Sequence, residues 1–251
     1  MIAGKLGKNA PLHNPKTLQL SKYLLNLPHI PNEFDWFSKV PAWPMYENDT
    51  LGNCVEAAQG HMIEQWSTYA NPPGVVLSDS QIVQAYTAEA GYVPGDPTTD
   101  NGTYMLLALD YWRKTGIAGH QIIAYVQLAT GNSVELEAAV WLFGNAIVGL
   151  QLPLSVQNLD EWSVPEGGTV GDGLPGSWGG HCVPVVGMAP NAMPVITWGS
   201  TLWMTKRFYQ NYSDEAYAVL SHDWLQTANN LSPESFDLAQ LKADLQLIVK
   251  K

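Results

Sequence analysis

Two side chains in this sequence have the types and settings that nucleophilic chemistry needs. Cys54 stands in Leu51-Gly52-Asn53-Cys54-Val55-Glu56-Ala57-Ala58, where a loop gives way to an apolar pattern of helical period. His181 stands in Trp178-Gly179-Gly180-His181-Cys182-Val183-Pro184-Val185-Val186-Gly187, a hydrophobic run that reads as a strand opening after two glycines. A thiol at a helix start, where unpaired N–H groups and the helix dipole favour the thiolate, and an imidazole elsewhere form a nucleophile and its base. The alternative for Cys54 is a structural role, because free cysteine is among the most buried residue types.

The elements that must position these groups follow from local patterns. Asn53 is a candidate N-cap with Glu56 three residues on, as in a capping box, and Val55, Ala58, Met62, Trp66 and Tyr69 repeat on one face, so a helix is expected from Cys54 to about Ala70. Ser78 offers a cap for a second helix to about Ala90, and a third spans Gly102 to Lys114. A fourth runs from a Ser133 cap to Gly144, and a last one covers roughly Phe236 to Val249. Strands are expected at Ala146 to Leu152, Cys182 to Met188, Val195 to Trp198 and Ala216 to Leu220, with a glycine-rich loop over Pro165 to Gly180. Helices gathered before strands indicate an α+β fold of two subdomains. Residues 1–30, broken by Pro11, Pro15 and Pro28, read as an extended arm against the body.

Composition excludes several partners. Twelve basic residues against 23 acidic ones leave a net charge of -11 with no basic cluster, which argues against nucleic acid. No apolar run is long enough for a signal peptide or a membrane span, so a cytoplasmic location without membrane contact is expected. Two cysteines exclude a disulfide framework, and a single Cys54–Cys182 bridge does not suit a reducing compartment. Adjacent His181 and Cys182 face opposite ways on a strand, and Asp96, Asp100 and Asn101 lack the calcium-loop pattern, so neither a metal nor a cofactor is expected. Glu47, Asp49 and Asp172 read as solvated surface, with an acidic cleft rim as the alternative. His61 reads as a surface or hydrogen-bonded residue.

Taken in order, the segments resemble the papain-like cysteine peptidases, most closely divergent proteins of bacterial and phage genomes. Pro31 to Trp36 is similar to the mature start of that family, Pro44 to Cys54 to its oxyanion and nucleophile segment, and Leu77 to Gln81 to the start of its second helix. Asn101 to Ile117 and Val134 to Leu152 resemble its next elements, Gly179-Gly180-His181 its histidine motif, and Thr197-Trp198-Gly199 its Trp-Gly signature. The 127 positions between Cys54 and His181 lie near the family's roughly 130–150.

The resemblance implies a two-subdomain fold, helical beside an antiparallel β-barrel-like part, with the cleft between. The helical part would cover about 54–130 and the β part about 134–220 with the 31–48 segment; residues 221–251 would form a helical tail. Cys54 would be the nucleophile, His181 the base, Asn48 with the Cys54 N–H the oxyanion site, and Trp198 a shield over the base. Three departures stand out. Asn48 replaces a longer Gln. Val55 replaces an aromatic. Ile196 falls where an Asn would orient the histidine, so a dyad rather than a triad is expected, with Thr197 as substitute only after a one-residue slip of the strand.

The resulting expectation is a thiol hydrolase acting on peptide or isopeptide bonds of a peptide or protein substrate. The alternatives are acyl transfer, or a catalytically inactive papain-fold protein with a binding or structural role, virion-associated if the chain is phage-encoded. Because no long prosegment precedes Pro31, control is expected from substrate access, a partner or expression. The sequence does not specify the oligomeric state.

Overall fold

The computed structural model describes residues 4–22 and 29–225. The expected helix at Phe236 to Val249 lies outside them.

Helix α1 (Cys54–Ala70) has the expected bounds but not the expected single apolar face: all 17 of its residues are buried. A helix buried all round must be sheathed on every side. Its polar residues therefore find partners inside, as where Gln65 accepts from Asn145 Nδ2 at 2.6 Å. The Asn-Pro-Pro-Gly segment that follows cannot continue a helix. The expected cap at Asn53 is absent. Asn53 instead donates to Tyr46 O at 2.7 Å and accepts from Asn48 at 3.2 Å, while Glu56 accepts from Thr103 Oγ1 at 2.6 Å. Tertiary partners outcompete the local box.

Two layers enclose α1. On one side lie α2 (Asp79–Ala90), which does carry a capping box between Ser78 and Gln81, and α3 (Met105–Lys114). Trp112 of α3 packs beside Trp66 of α1, with ring centroids 5.8 Å apart. Helix α3 begins later than expected because Gly102, at φ 72°, and Thr103 form an extended edge instead. Helix α4 (Ser133–Phe143) is capped by Asn132, one residue earlier than expected, with its side chain accepting from Val134 and Glu135 N–H.

The other layer is a seven-stranded sheet of β2 (Ile122–Gln127), β3 (Ala146–Leu152), β4 (Glu161–Trp162), β5 (Gly179–Val185), β7 (Ala192–Thr197), β8 (Ser200–Thr205) and β9 (Ser213–Ser221), in the order β2-β9-β3-β5-β7-β8-β4. All its pairs are antiparallel except β4 with β8. The sheet is open, with β2 and β4 at its ends, rather than a closed barrel. A separate pair joins β1 (Phe34–Asp35) to β6 (Gly187–Met188). Strands β2 and β8 and a short helix α5 (Lys206–Tyr212) lie in stretches with no expected element. For α5 a signal existed: Thr205 caps it by accepting from Phe208 N–H at 3.1 Å.

A single buried cluster runs through α1, the sheet and the flanking helices. Trp66 sits at its centre, fully buried, its indole donating to Phe143 O at 2.6 Å. Trp66→Ala is therefore expected to lower stability by about 3–5 kcal/mol, read as a fall in the urea midpoint.

Candidate active site

The packing of α1 against β5 brings the thiol beside the histidine strand. Cys54 is the first residue of α1, and the backbone N–H of Cys182 on β5 points at its sulfur. Both cysteines are free and buried. Strand β5 is held in continuous register by β3, with Leu150 opposite His181, but meets β7 only where Val185 faces Val195.

That register decides the histidine's partner. With Val185 opposite Val195, His181 and Thr197 are each an even number of positions away and share a face, while Ile196 turns to the other. Thr197 Oγ1 lies 2.7 Å from His181 Nε2. No slip of the strand is needed, contrary to the sequence expectation, and Ile196 is simply a core residue. Next along the chain, Trp198 and Gly199 both have positive φ, 47° and 69°, as a two-residue type I′ hairpin turn between β7 and β8 requires. This turn lays the Trp198 ring over His181, stacked at 4.5 Å and 20°. Trp162 meets the imidazole edge-on at 6.2 Å.

Asn48 is presented by a strained segment. Tyr46 and Glu47 both adopt left-handed backbone, φ 55° and 57°, at a cost of order 1–3 kcal/mol each. The buried Asn48 amide is shared among Leu51 O at 3.1 Å, Asn53 Oδ1 at 3.2 Å and Lys5 O at 3.3 Å.

Lys5 belongs to the leader, and its position is the main feature that the sequence did not disclose. Residues 4–9 run through the cleft over Cys54. Gly4 lies against the Trp198 ring, the Lys5 carbonyl receives Asn48 and, at 3.4 Å, the Trp198 indole, and the Lys5 ammonium pairs with Asp100. A Cβ on Gly7 would run into the Gly52 carbonyl and one on Gly102 into the Gly7 carbonyl, while a Cβ on Gly52 would crowd the Asp100 carboxylate. The Gly7 N–H is directed at the Cys54 sulfur and the Gly7 carbonyl accepts from Thr103 N–H at 2.8 Å. Lys8 and Thr103 form a parallel bridge, and Lys8 N–H donates to Gly180 O at 3.1 Å. Of the controls the sequence left open, substrate access is the one this geometry bears on, because the leader itself covers the thiol.

The electrostatics follow from that cover. Burial, reinforced by the Glu56 carboxylate, pushes the Cys54 thiol up to about 12, although the Cys182 and Gly7 N–H groups and the Lys8 charge act the other way. Burial likewise lowers His181 to about 3, and its Nδ1 has no hydrogen-bond partner. At neutral pH Cys54 is thus a thiol and His181 a neutral imidazole. The thiolate favoured by the helix start is overridden by desolvation.

The remaining candidates lie elsewhere. His61 is buried between Trp43 and Tyr46, with Nε2 2.8 Å from Pro44 O, and burial lowers it to about 4. Glu47, Asp49 and Asp172 are exposed. Asp100 accepts from Tyr86 and Gly52. Among the described residues no group of three His, Cys, Asp or Glu side chains could hold a metal ion, and no helix is long and apolar enough to cross a membrane.

No family model matches the chain, and no curated protein matches its sequence significantly. Solved structures do match its fold. Xylellain, a cysteine protease from Xylella fastidiosa, superposes with TM-score 0.66 at 13% identity, covering 87% of this chain and 96% of its own. Procathepsin L 3 from the larval midgut of Tenebrio molitor gives 0.59 at 16%, covering 87% and 76%. Bromelain from Ananas comosus gives 0.53 at 14%, covering 76% and 99%. The fold is papain-like, as the ordered segments of the sequence implied.

With the leader in place, alkylation of Cys54 by iodoacetamide is expected to be slow at pH 7.5 and to climb without a plateau up to pH 10, since the thiol titrates near 12. Gly7→Ala, whose Cβ would collide with the Gly52 carbonyl, is expected to raise the pH 7.5 rate about tenfold or more. Site-resolved mass spectrometry separates Cys54 from Cys182. An unchanged rate in a folded variant would contradict the covering role of the leader.

Proposed function

We propose that this chain is a papain-like thiol hydrolase, cleaving peptide or isopeptide bonds through an acyl-enzyme on Cys54, and that its own leader keeps it latent. The observation that carries this reading is a peptide backbone lying along Cys54 with one carbonyl, that of Lys5, on the Asn48 amide. The cleft already holds the kind of group it would act on. The fold shared with the cysteine proteases named above supports the assignment.

The chemistry assigns each group a task. With Nε2–H donating to Thr197 Oγ1, the free Nδ1 of His181 is the acceptor for the Cys54 proton. The thiolate so formed attacks the substrate carbonyl carbon, the S–C bond forms, and the oxyanion is held by Asn48 with the Cys54 N–H at the helix start. The imidazolium returns its proton to the leaving amine as the C–N bond breaks. Water then attacks the thioester, again through His181, and releases the acid and the thiol. Trp198 excludes water from the stacked ring. Departure of the leader is required first, because it lowers the desolvation that holds the thiol protonated and opens the site to substrate.

Thr197 makes the site unusual. An amide carbonyl can only accept, and so selects the tautomer with hydrogen on Nε2; a hydroxyl can also donate, and then the proton sits on Nδ1, where the ring is no base for the thiol. Thr197 positions the ring without fully selecting its tautomer.

A second reading, an inactive papain-fold protein with a binding or structural role, is favoured by one observation: His181 Nδ1 makes no hydrogen bond, to Cys54 or anything else. Labelling with an epoxide or vinyl-sulfone probe decides between the two on the Gly7→Ala chain. The hydrolase reading expects labelling abolished by Cys54→Ala and slowed about 10²–10⁴-fold by His181→Ala. Thr197→Val is expected to slow it less, and Thr197→Asn to restore it. Labelling that ignores His181 would favour the second reading.

A further inference from the structure

Beside Cys54, the leader buries a lysine. The Lys8 side chain has no exposed surface, and its ammonium lies 2.9 Å from Asp214 Oδ2, 2.9 Å from Asn9 O and 3.1 Å from Glu215 Oε1. Each carboxylate also accepts from a second group. Gln151 Nε2 donates to Asp214 at 2.6 Å, and the Tyr217 hydroxyl donates to Glu215 Oε2 at 2.9 Å. The stem passes over Gly149, where any Cβ would occupy the place of the lysine Cε.

Three features distinguish this arrangement from a simple anchor for the leader. An apolar side chain would hold an arm in a buried slot at least as well, because two desolvated charges cost what they recover. The slot is also built by the body of the protein alone: Gly149 on β3 and Asp214 and Glu215 on β9 supply the room and the charge, and Asp214 Oδ1 makes no hydrogen bond even when Lys8 is present. Finally, the slot lies next to the reacting sulfur. Lys8 follows Gly7, whose N–H points at Cys54, and the Lys8 charge reaches both Cys54 and Cys182. Any peptide that replaces the leader at the sulfur must fill the slot or leave two carboxylates unpaired in it.

We infer that the slot formed by Gly149, Asp214 and Glu215 is a specificity site for a lysine side chain of the substrate, which the leader occupies with Lys8 in the resting protein. This rests on the hydrolase reading and adds the substrate class: peptides with a lysine close to the bond that is cut. The acidic surplus of the whole chain, a net charge of -11, draws such peptides toward the cleft. The leader and the substrate compete for one pocket, so the group that enforces latency is also the group selected.

The test uses the full-length chain carrying Lys8→Ala, which empties the slot, with Lys8→Gln in its place if the first does not fold. A positional library of fluorogenic peptides reports cleavage. The synthetic peptide Gly-Lys-Leu-Gly-Lys-Asn-Ala, labelled with a fluorophore, and its analogue with norleucine for the second lysine report binding by anisotropy. Expected are a preference of at least tenfold in kcat/KM for lysine over norleucine at one library position, and tighter binding of the lysine peptide. Both preferences should vanish when Asp214→Asn and Glu215→Gln are added, while cleavage of norleucine peptides persists. Equal cleavage of lysine and norleucine peptides, or a preference that survives the added pair, would overturn the inference. Absence of all cleavage would count against the hydrolase reading, and the slot then stands or falls on whether the lysine peptide binds more tightly than its analogue.

Discussion

Helix α1 is buried on every side, and that constraint organises the molecule. A cylinder of 17 buried residues needs a wall all the way round, and the chain builds it from α2 and α3 on one side and the open sheet on the other. Packing the start of α1 against β5 sets the thiol of Cys54 beside the strand of His181 without any direct tie between the two side chains. The same packing takes Asn53 and Glu56 away from capping and gives them to Asn48, Tyr46 and Thr103. The loop ahead of the nucleophile is therefore held by the core rather than by its own turn chemistry.

Desolvation governs the electrostatics of the cleft. A thiol at a helix start in water would ionise readily, yet here burial outweighs the nearby N–H groups and the Lys8 charge. The cover responsible is thin, about six residues of extended chain, and is anchored by charge at two points, Lys5 on Asp100 and Lys8 on Asp214 and Glu215. The Lys5 side chain is partly exposed, whereas Lys8 is fully buried, so removing Lys8 alone would leave two carboxylates without their counter-charge. Glycine at 7, 52 and 102 allows the backbones to approach closely enough for this cover to seat at all.

The histidine shows how strand pairing substitutes for sequence identity. Where an amide would be expected, Ile196 faces the core, and the neighbouring hydroxyl of Thr197 reaches the imidazole because Val185 pairs with Val195. The type I′ turn that follows then stacks Trp198 on the same ring. A hydroxyl orients the ring but accommodates either tautomer, a looser arrangement than an amide carbonyl makes.

Local chemistry was enough to determine a good deal. The bounds of α1 and β3, the Ser78 cap of α2, the mixed α+β class and the placement of Cys54 at a helix start all follow from caps, periodicity and breakers within a few residues. The ordered segments also implied the papain-like fold. Tertiary structure alone decided which residue meets His181, because strand register is a relation between distant segments, and a side chain's face depends on its pairing partner. It also decided the ionisation of Cys54, since desolvation is set by what covers a group and not by its neighbours in sequence. The route of the leader was out of reach for the same reason: its binding energy lies in contacts with Asp100, Thr103, Gly180, Asp214 and Glu215, far along the chain, and no local pattern records them.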